Sequence, residues 1–115
     1  FRQNELIPLT EDQTVGNLMQ AESRGLPISA QMKDMLTQAV GAQPKVEVAL
    51  TRCPLTSGDC LLLCCDGLYK VVADEDVKEI LNLPASPEAK AEGLVARANH
   101  NGGPDNISVI LAELR

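Results

Sequence analysis

Aromatic side chains are almost missing from this 115-residue chain: there is no Trp, and one Phe and one Tyr make an aromatic share of 2%. Its core must therefore be built from Leu, Val, Ile, Ala and Met, and a hydrophobic content of 44% supplies enough for one modest domain. Positive charge is scarce as well. Ten Lys and Arg stand against sixteen Asp and Glu, a net charge of -6. That balance argues against a nucleic-acid partner or an anionic membrane surface. No signal-peptide pattern is present, and no apolar stretch is long enough to span a bilayer; the longest, residues 61–65, is strand-sized. The expectation is a soluble cytoplasmic protein, or one that uses its carboxylates on cations.

The usual catalytic devices are missing too. The four cysteines, Cys53, Cys60, Cys64 and Cys65, contain no C-x-x-C pair, so zinc spacing is absent. Neighbouring strand residues point to opposite faces, so Cys64 and Cys65 cannot serve one site side by side. All four read as small reduced core residues. Neither a Gly-rich phosphate loop nor a Gly-x-Ser-x-Gly elbow appears. The single histidine, His100, lies in a polar Asn-rich stretch and reads as a solvated loop residue; Tyr69 reads as a packed ring with a wet hydroxyl.

Hydrophobic spacing and turn residues outline the elements. Gln3-Asn4 resembles a hairpin turn, and the opening from Phe1 reads as the middle of a longer polypeptide, so the chain is expected to be a fragment. Residues 5–9 suggest a short strand. Thr10 with Gln13 gives a capping-box pattern ahead of Val15, Leu18 and Met19, with Gly25 as the stop. Ser29 caps a second helix with the stripe Met32, Met35, Leu36 and Ala39, ended by Gly41. Residues 45–51 alternate as a half-buried strand. Residues 60–65 read as a strand covered on both faces, and Val71-Val72 as its continuation. Asp74 caps a helix through Val77, Ile80 and Leu81. Ser86-Pro87 starts another through Ala91, Leu94, Val95 and Ala98, and residues 107–114 form the last strand. Irregular interspersion of strands and helices favours an α+β or layered-sandwich architecture over steady βαβ alternation.

Within this frame two acidic turns stand out. Cys65-Asp66-Gly67 ends the most apolar run, and Gly103-Pro104-Asp105-Asn106 opens another. Either alone is an ordinary turn sequence. Together they place two carboxylates at strand edges, as a hard divalent cation such as magnesium or manganese requires.

Four segments, in order, resemble the metal-dependent type 2C serine/threonine protein phosphatases, in particular the compact bacterial members. Leu9-Thr10-Glu11-Asp12-Gln13-Thr14 is similar to that family's Leu-Thr-x-Asp-His-Ser/Thr, and Leu36-Thr37-Gln38-Ala39-Val40-Gly41 to its Leu-Thr-x-Ala-Leu-Gly. Gly58-Asp59 followed by residues 60–69 is similar to Gly-Asp-x, a hydrophobic run and Ser/Cys-Asp-Gly-Leu-Trp. Asp105-Asn106-Ile107-Ser108-Val109 matches Asp-Asn-Ile-Thr/Ser-Val. The resemblance implies an αββα sandwich of antiparallel sheets flanked by helices, with residues 1–115 as the C-terminal portion and the N-terminal strands missing. It implies Asp66 and Asp105 as ligands of a manganese or magnesium centre, and Asp12 as a ligand of a weaker third metal. Residues from about 15 to 40 would form a flap beside the active site.

The activity implied is hydrolysis of phosphoserine and phosphothreonine on phosphoprotein substrates through a metal-activated water. Departures are also present. Gln13 stands where the family has His, Lys70 where it has an acidic residue, and Tyr69 where it has Trp. The Arg-Gly-x-Asn-Glu-Asp and Asp-Gly-His-Gly segments of the family are absent, so the fragment by itself is expected to be inactive. The competing expectation is a non-catalytic, phosphatase-like regulatory or partner-binding module. A sandwich lacking strands would expose apolar sheet faces, which predicts self-association or a tightly held complementary N-terminal fragment.

Overall fold

The computed structural model describes residues 1–22 and 27–115; the Gly25 stop lies outside the described residues. Along the chain run α1 (Val15–Ala21), α2 (Ala30–Lys33), β1 (Cys60–Cys64), α3 (Asp66–Tyr69), α4 (Asp74–Leu81), α5 (Pro87–His100) and β2 (Val109–Glu113). They fall into two units: Phe1–Ile7 with Pro54–Arg115, and Pro8–Cys53.

The first unit is built on an antiparallel pair, β1 with β2, in the register Cys60↔Glu113 to Cys64↔Val109. Alternation gives this ribbon two faces. Cys60, Leu62, Val109 and Leu111 turn toward the helices and join a core of Leu68, Val72, Val77, Ile80, Leu81, Leu94 and Ala98. On the other face Leu63 and its register partner Ile110 are 52% and 65% exposed. Residues 60–65 are therefore covered on one face, not both, because no second layer lies over Leu63 among the described residues. Of the cysteines only Cys60 is in the core; Cys53 and Cys64 are exposed and Cys65 is half-buried.

Helix α5 forms as its sequence directs. Ser86 caps it by accepting the Ala89 N–H at 3.3 Å, Pro87 occupies the first turn, and Leu94 and Ala98, four residues apart, are fully buried. It runs through His100, so Asn99 and His100 end the helix instead of lying in a loop, and Gly102 at φ +112 turns the chain away. Ala73, not Asp74, is the N-cap of α4. Asp74, Glu75 and Asp76 occupy the first turn, where the helix dipole favours anions.

Residues 66–72 depart from expectation. Val71-Val72 does not continue a strand. Leu68 and Val72, 1% and 2% exposed, reach the core together only at the four-residue spacing of a helical turn, and the Val72 N–H bonds the Leu68 carbonyl at 2.9 Å. The helix–core geometry overrides the β preference of paired valines. At the other end, Gln3 and Asn4 have φ of +49° and +68°, the type I′ hairpin turn, and Arg2 and Glu5 exchange both backbone hydrogen bonds at 3.0 and 2.9 Å. Pairing stops there, so the strand expected over 5–9 reduces to one bridge. Arg2 grips Asp59 with a fork, Nε to Oδ1 at 2.7 Å and Nη2 to Oδ2 at 2.6 Å. Strand β2 begins at Val109, two residues later than expected.

The Pro8–Cys53 unit has no fully buried side chain among its described residues. Thr14, not Thr10, caps α1, accepting the Asn17 N–H. Ser29 caps α2 as expected, but the helix ends at Lys33; Leu36 instead bridges to Thr14, and Gly41 sits in a later turn at φ +84. Residues 45–51 form no strand, and Leu50 is 90% exposed. The reason lies in the backbone at Glu47. Its N–H donates to Gln38 Oε1 at 2.5 Å, and its carbonyl accepts from the side chains of Gln38 and Gln13, so side-chain amides take the groups that a ladder would use.

Candidate metal centre

Asp66 begins α3 immediately after β1, and Asp105-Asn106 precedes β2. Because β1 and β2 are antiparallel, the end of one meets the start of the other, and the two acidic turns come together. Gly67 marks the junction. A Cβ on Gly67 would fall on the carbonyl oxygen of Asn106, 3.0 Å from its carbon and 3.6 Å from Asp105 Cβ. Only a residue without a side chain admits that approach.

Cys65 fastens the same junction. Its N–H donates to the Ser108 carbonyl at 3.2 Å, its thiol donates to the Asn106 carbonyl at 3.1 Å, and its sulfur accepts the Ser108 N–H at 3.2 Å. The sequence pattern reads this thiol as a core residue, whereas Cys65 is half-buried at the junction. The available signal was the register: one step beyond the Cys64↔Val109 pair, Cys65 faces Ser108.

The carboxylates are accessible. Asp66 is 44% exposed, and its Oδ2 lies 3.1 Å from Lys70 Nζ, one helical turn on. Asp105 Oδ1 accepts the Asn106 N–H at 2.7 Å, which sets the orientation of that carboxylate. Asp12 belongs to the Pro8–Cys53 unit, where its carbonyl accepts the Thr14 N–H and the Asn17 side-chain amide, both at 2.9 Å. The structure thus gathers Asp66 and Asp105 at one junction, whereas Asp12 is part of the other unit. Among the described residues no group of three or more His, Cys, Asp or Glu side chains forms a complete cation site.

The donor set nevertheless suits one kind of ion. Two exposed carboxylates offer hard oxygen ligands and leave room for water, as magnesium and manganese require; no imidazole or thiolate competes at zinc spacing. Asp66 and Asp105 fit part of a coordination shell. His100 stands at the C-terminal end of α5, and Tyr69 is 46% exposed. A shallow groove of about 410 Å³ between α5 and β2, lined by Ala91, Val95, Ala96 and Val109 with Glu92 and Asn99, contains none of the three aspartates.

Comparison with known proteins bears on the same question. A serine/threonine phosphatase (stp) of Listeria welshimeri is 34% identical over 120 residues, covering 98% of this chain and 46% of the relative. Among solved structures, the serine/threonine phosphatase of S. agalactiae superposes with a TM-score of 0.89 at 31% identity, covering 99% of this chain and 48% of that one. The catalytic domain of the serine/threonine protein phosphatase PstP, solved in complex with two manganese ions, superposes with a TM-score of 0.78 at 34% identity, covering 97% and 46%. No family model matches the chain. The chain spans about half the length of these relatives.

Proposed function

The chain belongs to the metal-dependent serine/threonine protein phosphatases of type 2C, and from that premise we propose that it supplies part of a phosphatase metal centre, with Asp66 and Asp105 as ligands for manganese or magnesium. The observation that carries this reading is the contact of Gly67 with the Asn106 carbonyl, which brings the two aspartate turns to one junction. The longer polypeptide would hydrolyse phosphoserine and phosphothreonine on proteins, in the cytoplasm. Asp12 would serve a more weakly held third cation, and residues from about 15 to 40 would correspond to the family's flap region.

The chemistry supplied there by bound divalent cations is polarisation of water and neutralisation of phosphoryl charge. The chain's own residues prepare the junction. Gly67 permits the approach of the two turns, Cys65 ties them through thiol and backbone, and the Asn106 N–H orients the Asp105 carboxylate. Two carboxylates, the largest set of acidic ligands gathered among the described residues, are too few to hold the cations on which a metal-activated water depends. The chain alone is therefore inactive in this reading, and turnover at even about 1 s⁻¹, the low end of ordinary enzymes, would contradict it.

Two surface features support a role as one piece of a larger assembly. The outer face of the β1–β2 ribbon presents Leu63 and Ile110, and Val48 and Leu50 are 72% and 90% exposed. A complementary N-terminal portion of the domain, or a second copy in its absence, would cover such apolar surface.

The test of the metal reading is a manganese titration of the chain, followed by the electron paramagnetic resonance of the free ion. Asp66→Ala and Asp105→Ala should each weaken binding by tenfold or more; unchanged binding in both would remove the metal pair. The Lys70 ion pair on Asp66 favours a second reading, a non-catalytic module whose acidic junction is neutralised internally. That reading predicts manganese binding indifferent to both aspartates.

A further inference from the structure

We propose that Lys70 is a built-in counter-cation for Asp66 and sets how readily the carboxylate pair accepts a divalent ion, an inference that rests on the metal-centre reading above. Its basis is local geometry. Lys70 ends the single turn of α3, its N–H bonded to the Asp66 carbonyl at 3.1 Å, and four residues is the spacing that returns a side chain to the same face. The ammonium consequently reaches Oδ2 of Asp66 at 3.1 Å.

Charge gives this contact its consequence. The turns that carry Asp66 and Asp105 meet at one junction, so a cation held there would draw on the negative charge of both. Lys70 provides a single positive charge on the Asp66 side, so the junction is part-neutralised before any metal arrives. A divalent ion must displace the ammonium from Oδ2 or bind beside it, and either route weakens binding. The opposition is moderate, because both side chains are 44% exposed and water screens them. Lys70 therefore raises the cation concentration at which Asp66 becomes a ligand without closing the site.

The experiment is manganese binding to the 115-residue chain at low ionic strength, read by electron paramagnetic resonance and calorimetry. Lys70→Met, which keeps the stem and removes the charge, should tighten binding by about three- to tenfold, the range expected for one exposed like charge. Lys70→Glu should tighten it further, and Lys70→Arg should leave it near the parent value. The gain from Lys70→Met should shrink as salt rises and should vanish in an Asp66→Ala background, since the lysine acts through that carboxylate. If Asp66→Ala weakens binding but Lys70→Met and Lys70→Glu do not tighten it, the lysine role is refuted and the metal pair stands. If Asp66→Ala changes nothing, both fall.

Discussion

Replacing Gly67 by Ala sets two known effects against each other. Gly67 lies within α3, where the gain in helix propensity from Gly to Ala is up to about 1 kcal/mol. Against that gain, the new methyl would occupy the place of the Asn106 carbonyl oxygen and press within 3.0 Å of its carbon. Both obstructing atoms are backbone, so no rotamer change relieves the contact; the Asp105-Asn106 turn must move as a whole. Overpacking of this kind costs about 1–3 kcal/mol, and loss of the Cys65 thiol–Asn106 hydrogen bond adds about 0.5–1.5 kcal/mol. The clash wins, and net destabilisation of about 1–3 kcal/mol is expected once the propensity gain is subtracted. Urea denaturation monitored by far-ultraviolet circular dichroism measures it. The same shift separates Asp66 from Asp105, so manganese affinity should fall together with stability. A Gly67→Ala chain as stable as the parent, with unchanged manganese binding, would refute the claim that close backbone approach builds the site.

Two further outcomes follow from other parts of the first unit. Asp59 is 4% exposed, and the Arg2 fork, aided by the Thr56 N–H at 2.7 Å, holds its carboxyl well below the ordinary value of 3.8. The unfolded chain takes up a proton near 3.8 while the folded chain still resists it, so this stabilisation is complete above that value and drains away as pH falls below it. Asp59→Asn should be less stable at neutral pH yet lose less on acidification from about pH 5 to about pH 3; parallel stability profiles in urea titrations would contradict the assignment. On the exposed ribbon face, the parent chain should self-associate in sedimentation velocity at high concentration, and the Leu63→Lys, Ile110→Lys pair should restore a monomer. A parent that sediments as a monomer would remove that expectation.

Where order is local, the amino-acid sequence already contains it. Ser86-Pro87 with Leu94 and Ala98 specifies α5, the acidic start and the Val77, Ile80 and Leu81 stripe specify α4, and Gln3-Asn4 adopts the left-handed pair that a type I′ turn needs. The Thr10 cap and the strand at 45–51 fail for a related reason. Caps and strand partners are chosen by competition, and Thr14 and the Gln13–Gln38–Glu47 amide network won in this unit. Nothing in the pattern of residues 45–51 announces that a side-chain amide 9 residues earlier will take its backbone N–H.

The two acidic turns show the same division most clearly. Their identities, their placement beside apolar runs and the order of motifs shared with a phosphatase family are legible in the chain alone, because these depend on residue type and spacing. The packed fold brings the Asp66 and Asp105 turns together through antiparallel pairing of β1 and β2, bonds Cys65 across the junction, and sets Gly67 where a carbonyl must be admitted. It also decided that Lys70, a departure from the family pattern, lies on the carboxylate it would regulate. Residues 66 and 105 are thirty-nine positions apart in the chain, and a contact across that separation is set by the register of two strands and the burial of Leu68 and Leu94 beneath them. No local preference encodes such a contact, because its energy resides in packing.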